Sequence, residues 1–210
     1  MKEFLSVKSN ITVNETVIEK SRFICTLKKV DGEEEAKTFV SEIKAKYPDA
    51  THNCYAYIAD IGGFYVKFSD DGEPQGTAGL PMLETLKAKN LKKVAVVVTR
   101  YFGGIKLGTG GLARAYSDSV KKAVEIAGIS KNVLSSYLTA EVSYSLYPKI
   151  LKLLDSVSAV KISDEYLNEG VKVTFVIPHD KREDITDKIT DYSSGKATVF
   201  EQKTEYFEYL

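Results

Sequence analysis

The chain has 210 residues with 29 basic and 29 acidic side chains, so its formal net charge is zero. That balance excludes a protein that coats nucleic acid through bulk positive charge, but it leaves room for a local basic patch. An apolar share of 43% and a charged share of 28% belong to a globular chain able to bury a core without staples. The two cysteines, Cys25 and Cys54, form no CxxC pair, so no disulfide framework or zinc ribbon is expected. Reduced thiols and a cytoplasmic location follow as expectations. The first ten residues lack the apolar stretch of a signal peptide, and the longest apolar run, residues 94–98, is far too short for a membrane span.

Residues 11–29 alternate loosely and read as two short strands with a break near Glu15, with Phe23, Cys25 and Leu27 on one face. Asp31 and Glu34 form a capping-box pattern. The helix it opens carries Ala36, Phe39, Val40, Ile43 and Tyr47 on one stripe and ends at Pro48. Residues 53–59 and 64–68 read as a hairpin turning at Gly62 and Gly63. A polar, glycine-containing loop follows over residues 69–76. Leu80, Leu83 and Leu86 then mark a helix with Pro81 in its first turn. Residues 94–99 are continuous and mostly β-branched, the pattern of a strand buried on both faces. Residues 103–111 contain five of the fourteen glycines. The next helix has Leu112, Tyr116, Ala123 and Ala127 inward and stops at Gly128.

From there the pattern changes. A strand over residues 134–144 precedes a helix bearing Ile150, Leu151, Leu154 and Val157. A strand begins at Val160, a turn lies at 168–170, and Val171, Val173, Phe175 and Ile177 form another strand. Asp180 and Glu183 suggest a second capping box for a helix with Ile185 and Ile189, and a strand closes the chain over 197–207. This β-α-β-β-α-β order is the ferredoxin-like pattern. The expected fold class is α+β in two domains, 1–130 and 131–210.

The glycine loop is the strongest local signal for chemistry. Gly103, Gly104, Gly108, Gly110 and Gly111, with Lys106 and Thr109 among them, lie between a strand and a helix. Such a loop aims backbone N–H groups at an anion. Arg100 before it and Arg114 after it fit nucleic-acid or anion binding; the competing reading is a conformationally demanding connection. Known phosphate motifs fit poorly. Gly103 and Gly108 have P-loop spacing, but Thr109 stands where lysine is required. Gly108, Gly110 and Ala113 match a dinucleotide fingerprint without its βαβ context. Residues 86–122 hold nine basic side chains and one acid, Asp118, a local excess of +8. The competing reading there is solvated surface lysine.

Asp70, Asp71 and Glu73 offer carboxylates to a metal or to acid–base chemistry, but their spacing fails the calcium-loop pattern. Turn formation, or pairing with Arg100 or Arg114, is the alternative. His52 and Cys54 share a strand face but lack further zinc ligands nearby, and neither GxSxG nor HExxH occurs. No metal, no cofactor and no catalytic residue is expected.

Residues 69–79, then Gly79, Met82, Leu83, Leu86 and Leu91, and finally the run from Val97 through Arg100, Tyr101, Phe102, Gly103, Gly104 and Lys106 to Gly108, resemble the signature of the IMPACT family, in its bacterial YigZ branch. The resemblance implies a first domain similar to domain 2 of a small-subunit ribosomal protein and a ferredoxin-like second domain. It also implies a translation-associated regulatory role with RNA or the ribosome as partner. Eukaryotic relatives carry an additional N-terminal domain and restrain an amino-acid-starvation kinase; that activity is not carried over to this chain. Three readings stay open: a non-enzymatic RNA or ribosome binder, an enzyme or binder for a small phosphorylated ligand, and a protein adaptor using the sheet face of the second domain. No membrane association is expected, and the oligomeric state is not legible.

Overall fold

The computed structural model describes residues 2–209. The elements are β1 (Glu3–Val7), β2 (Ile11–Ile18), β3 (Ser21–Lys29), α1 (Glu33–Lys46), β4 (His52–Ile58), β5 (Val66–Ser69), α2 (Gly79–Ala88), β6 (Val94–Tyr101) and α3 (Gly108–Ala127), followed by β7 (Ile129–Val142), α4 (Tyr147–Ser156), β8 (Val160–Tyr166), β9 (Val171–Pro178), α5 (Arg182–Ser193) and β10 (Thr198–Tyr209). The fold is α+β. The chain divides into two compact units, one of residues 3–131 and one of Lys2 with residues 132–209.

In the first unit β2, β3, β6, β4 and β5 form one sheet in that order, with every neighbouring pair antiparallel. The continuous apolar sequence of β6 has a direct cause in its central place. Val94, Val96 and Val98 turn into the core shared with α2 and α3, while Ala95 and Val97 turn into a second core under α1. Burial of each valine stabilises the unit by about 1.5–3 kcal/mol. β1 is tied to the α2–β6 connection and, just beyond its end, to the C-cap of α3: Lys92 N–H donates to Leu5 O at 2.8 Å and Lys8 N–H to Gly128 O at 3.0 Å.

Three local expectations are corrected. β2 runs unbroken through Glu15, whose carboxylate is held by Arg22 at 2.7 and 2.9 Å. The chain turns instead at Glu19 and Lys20, both at positive φ (46° and 63°), the backbone that a two-residue hairpin between right-twisted strands requires. Neither residue is glycine or asparagine, so the usual turn signal is missing. At α1 the N-cap is Gly32, and Glu35 rather than Glu34 accepts a bond, from Asp31 N–H at 2.8 Å, because the helix starts one residue later than the spacing implied. At α5 no side chain caps the helix, since a short 3-10 turn over His179–Lys181 precedes it.

The second unit has the β-α-β-β-α-β order, and its strands lie β10-β7-β9-β8. Leu138, Ile150, Leu154, Val173, Phe175, Ile177, Ile185 and Ile189 fill the core on the helix side. On the opposite face of β9, Lys172 and Thr174 are half-buried, but Val176 is fully buried and Thr174 meets the Thr139 hydroxyl at 3.2 Å. Of this alternate row Val176 is thus closed to solvent, while Lys172 and Thr174 stay half-buried.

Candidate nucleic-acid interface

Period-two alternation continues along β6 past its apolar core. Residues 94, 96 and 98 point inward, and so does Arg100. Register sets it between Phe23 of β3 and His52 of β4, at one end of the sheet under α3. Arg100 is 4% exposed. Its Nη1 donates to Glu73 Oε1 at 2.7 Å and its Nη2 to Ser21 Oγ at 3.2 Å, while Nε is buried without a partner. The guanidinium lies 5.3 Å from the Phe23 ring centre and 5.4 Å from that of Phe102, within cation–π distance of both. Tyr116 of α3 also donates to Glu73 Oε1, at 2.7 Å. Burial pushes the Tyr116 hydroxyl far above the tyrosine range, so it stays a donor. His52 Nδ1–H donates to Asp71 O at 2.9 Å, which leaves Nε2 facing Glu73 Oε2 at 3.8 Å. Cys54 donates to Asp70 O at 3.0 Å, and burial pushes its thiol up, which favours the protonated form.

The acidic loop is organised by its own carboxylates. Asp70 Oδ1 accepts from Ala78 and Gly79 N–H at 3.0 and 2.8 Å, at the start of α2, and its Oδ2 accepts from Gly76 N–H at 2.8 Å. Asp71 bridges Lys44 of α1, at 2.5 Å, and Asn53 N–H of β4, at 2.7 Å. Burial would raise the Asp71 pKa, but these two donors outweigh it and hold the carboxyl below its usual value. Glu73 reaches Arg100. All three acids are thus engaged within the protein. Among the described residues no group of three or more His, Cys, Asp or Glu could hold a metal ion.

The glycine loop divides into two kinds of position. A Cβ on Gly103 would lie 2.0 Å from the Lys20 carbonyl carbon, so this glycine lets the loop pack on the β2–β3 turn, and its N–H donates to Ser21 Oγ at 3.1 Å. Gly104 and Gly108 have φ of +86° and +72°. Gly108, Gly110 and Gly111 belong to the first turn of α3 and not to a loop, which shortens the expected connection. A Cβ on Gly110 would meet nothing within 4 Å, and its φ is not positive, so neither packing nor conformation demands a glycine there. No side chain caps α3, and its first turn holds no acid. A 20-residue helix therefore presents its uncapped positive end at an open surface. That end, with Lys106, Leu107, Thr109, Leu112, Phe102 and the Glu73–Arg100 pair, lines a cleft of about 370 Å³. Lys106 is exposed at its mouth, and Phe102 is 47% exposed.

Comparison with known proteins assigns the chain to a family. Residues 19–124 match the Impact N-terminal domain, a span that contains every residue of the cleft and of the polar network beneath it. IMPACT family member YvyE of Bacillus subtilis is 40% identical over 195 residues, covering 93% of this chain and 89% of its own. The chain belongs to the IMPACT family. IMPACT family member YigZ of Escherichia coli is 38% identical over 198 residues, covering 93% of this chain and 96% of its own. A solved structure described as a crystal structure of an hypothetical protein superposes with a TM-score of 0.62 at 34% identity, covering 97% of this chain and all of the other.

In this IMPACT-family chain the residues singled out from the sequence do not all converge. Arg100, Glu73, Lys106, Gly108 and Thr109 line one cleft. Asp70 and Asp71 support the loop behind it. Arg114 lines a different groove, between α2 and α3, because it lies on another side of the helix from Leu112. The basic excess over residues 86–122 is reduced by pairing: Lys87 with Glu84, Lys93 with Asp31, Arg100 with Glu73 and Lys121 with Asp118. His52, Ser21 and Tyr116 were not foreseen as members of the network. For His52 a signal existed: it shares a face with Cys54, Ala56 and Ile58 on an alternating strand. No helix among the described residues is long and apolar enough to cross a membrane.

Proposed function

We propose that the chain is a translation-associated regulatory protein that binds RNA, free or within the ribosome, without catalysing a reaction, and that a backbone phosphate sits at the N-terminus of α3. The observation that carries this reading is the uncapped first turn of α3 opening onto a cleft with Lys106 at its mouth. Free N–H groups, the positive helix end and one ammonium form a phosphate cradle. Gly110 lets a ligand approach the backbone. Exposed Phe102 offers a face on which one base stacks. Arg100 is not a direct phosphate contact in this reading: Glu73 neutralises it and it holds the cleft floor. Family membership supports the translation setting.

The test is fluorescence anisotropy with a labelled single-stranded RNA at low salt. Lys106→Ala and Phe102→Ala are expected to weaken binding several-fold each, while Lys29→Ala, outside the cleft, leaves it unchanged. No association of the wild-type protein with RNA or ribosomes at low salt contradicts the reading. A cleft of about 370 Å³ also suits a small phosphorylated ligand. Asp70 and Asp71, however, are held by backbone N–H groups and Lys44, which disfavours them as the metal-binding or acid–base carboxylates such a reading needs. Thermal-shift screening with nucleotides and phosphate esters separates the two.

A further inference from the structure

A second concavity, of about 670 Å³, runs between α2 and α3 on the surface of the first unit. Pro81, Thr85 and Ala88 form one wall, and Ala113 and Ser117 the other. These short side chains leave a shallow trough whose floor is mainly carbon. Lys89, Arg114 and Lys121 stand along it, against one acid, Glu84. Lys121 pairs with Asp118 and Glu84 with Lys87, each i,i+3 along its own helix. Among the described residues, neither Lys89 nor Arg114 forms an ion pair with an acid.

We propose that this groove docks a short stretch of an acidic amphipathic helix from a partner protein. Three observations select that occupant. Both walls are α-helices and not sheet edges, so the groove offers no ladder to an extended peptide. An occupant must satisfy its own backbone, as a helix does. The floor has no aromatic ring and its walls are methyl and methylene groups, so bases have nothing to stack on. The cationic rim complements acids flanking an apolar stripe, and paired basic residues there would repel a basic helix. The walls span about eight or nine residues of each helix, roughly 12 Å at 1.5 Å per residue. That length matches about two turns of a docked helix, with apolar anchors at i, i+3 or i+4, and i+7.

The test uses the full chain and two labelled helical peptides of about 15 residues, each with a leucine stripe at that spacing. One carries glutamate on its flanks and the other lysine. The wild-type protein is expected to bind the acidic peptide and not the basic one. The charge reversal Lys89→Glu with Arg114→Glu is expected to weaken the acidic peptide at least tenfold and to gain the basic peptide. Arg114 is exposed and Lys89 half-buried; the single variant Arg114→Ala, with a smaller expected loss, guards against a folding defect. Lys106→Ala leaves peptide binding unchanged, which separates this groove from the proposed RNA cleft. Equal binding of both peptides, or acidic-peptide binding untouched by the charge reversal, overturns the proposal. So does single-stranded RNA that loses as much affinity as the peptide on charge reversal, because it marks a phosphate surface.

Discussion

Arg100 Nη1 donates to Glu73 Oε1 at 2.7 Å, with 5% and 3% of the two side chains exposed. A charge buried so far is tolerated only while its partner remains. Glu73→Ala and Arg100→Ala are each expected to cost about 3–5 kcal/mol, because each strands the other charge. The double variant Glu73→Ala with Arg100→Ala should lose less than the sum of the single losses. Urea denaturation of the four proteins in a double-mutant cycle measures this, and additive losses would show that the pair is not coupled.

Asp70 anchors the loop that carries Glu73. Replacing it with alanine removes acceptors from three backbone N–H groups, of Gly76, Ala78 and Gly79. A loss of about 1–3 kcal/mol is expected, as for a helix cap combined with buried donors left unsatisfied. Asp70→Asn, which retains one carbonyl oxygen, should recover part of it in the same denaturation experiment.

The glycines of residues 103–111 separate into structural and approach-permitting positions by substitution. Gly103→Ala drives a Cβ into the Lys20 backbone, and a large drop in melting temperature is expected. Gly110→Ala meets open space in a helical turn, so stability should stay level or rise by up to about 1 kcal/mol. If RNA approaches the backbone there, the same variant weakens RNA binding while stability does not fall. Destabilisation by Gly110→Ala would show an internal role for that glycine.

Acid stability of the second unit should depend on Glu201. The Ser136 and Thr204 hydroxyls, then Arg182, hold its carboxyl down at about 2 from 4.5. A depressed carboxylate stabilises the fold above its unfolded value, and that contribution is lost as the pH falls from about 4.5 to about 2. Glu201→Gln should be less stable than wild type at neutral pH, and the difference should shrink across that window. Urea melts at several pH values check it; a difference that stays constant with pH contradicts the assignment.

Much of this was legible in residue spacing, and the misses have physical causes. The continuous, mostly β-branched run over residues 94–99 pointed to the doubly buried β6, and six segments after Gly128 pointed to the second unit's element order. The β2–β3 turn was missed because Glu19 and Lys20 adopt positive φ without a residue type that announces it. β1 escaped because five residues with only two buried large apolar side chains carry too little periodicity. At the site, the pairing of the acidic loop with Arg100 was one of the alternatives that the residues left open. The burial of Arg100 could have been read from its place in the row of Val94, Val96 and Val98. Arg114 was grouped with the glycine loop by proximity in sequence, but helical rotation carries it to another groove.

The measurement that tests the central claim most directly is the salt dependence of RNA binding by wild type and Lys106→Ala. If Lys106 neutralises a phosphate at the α3 N-terminus, the slope of log K against log salt for single-stranded RNA should be about 0.7 shallower in the variant. Parallel slopes, or no RNA binding by either protein at low salt, would contradict it.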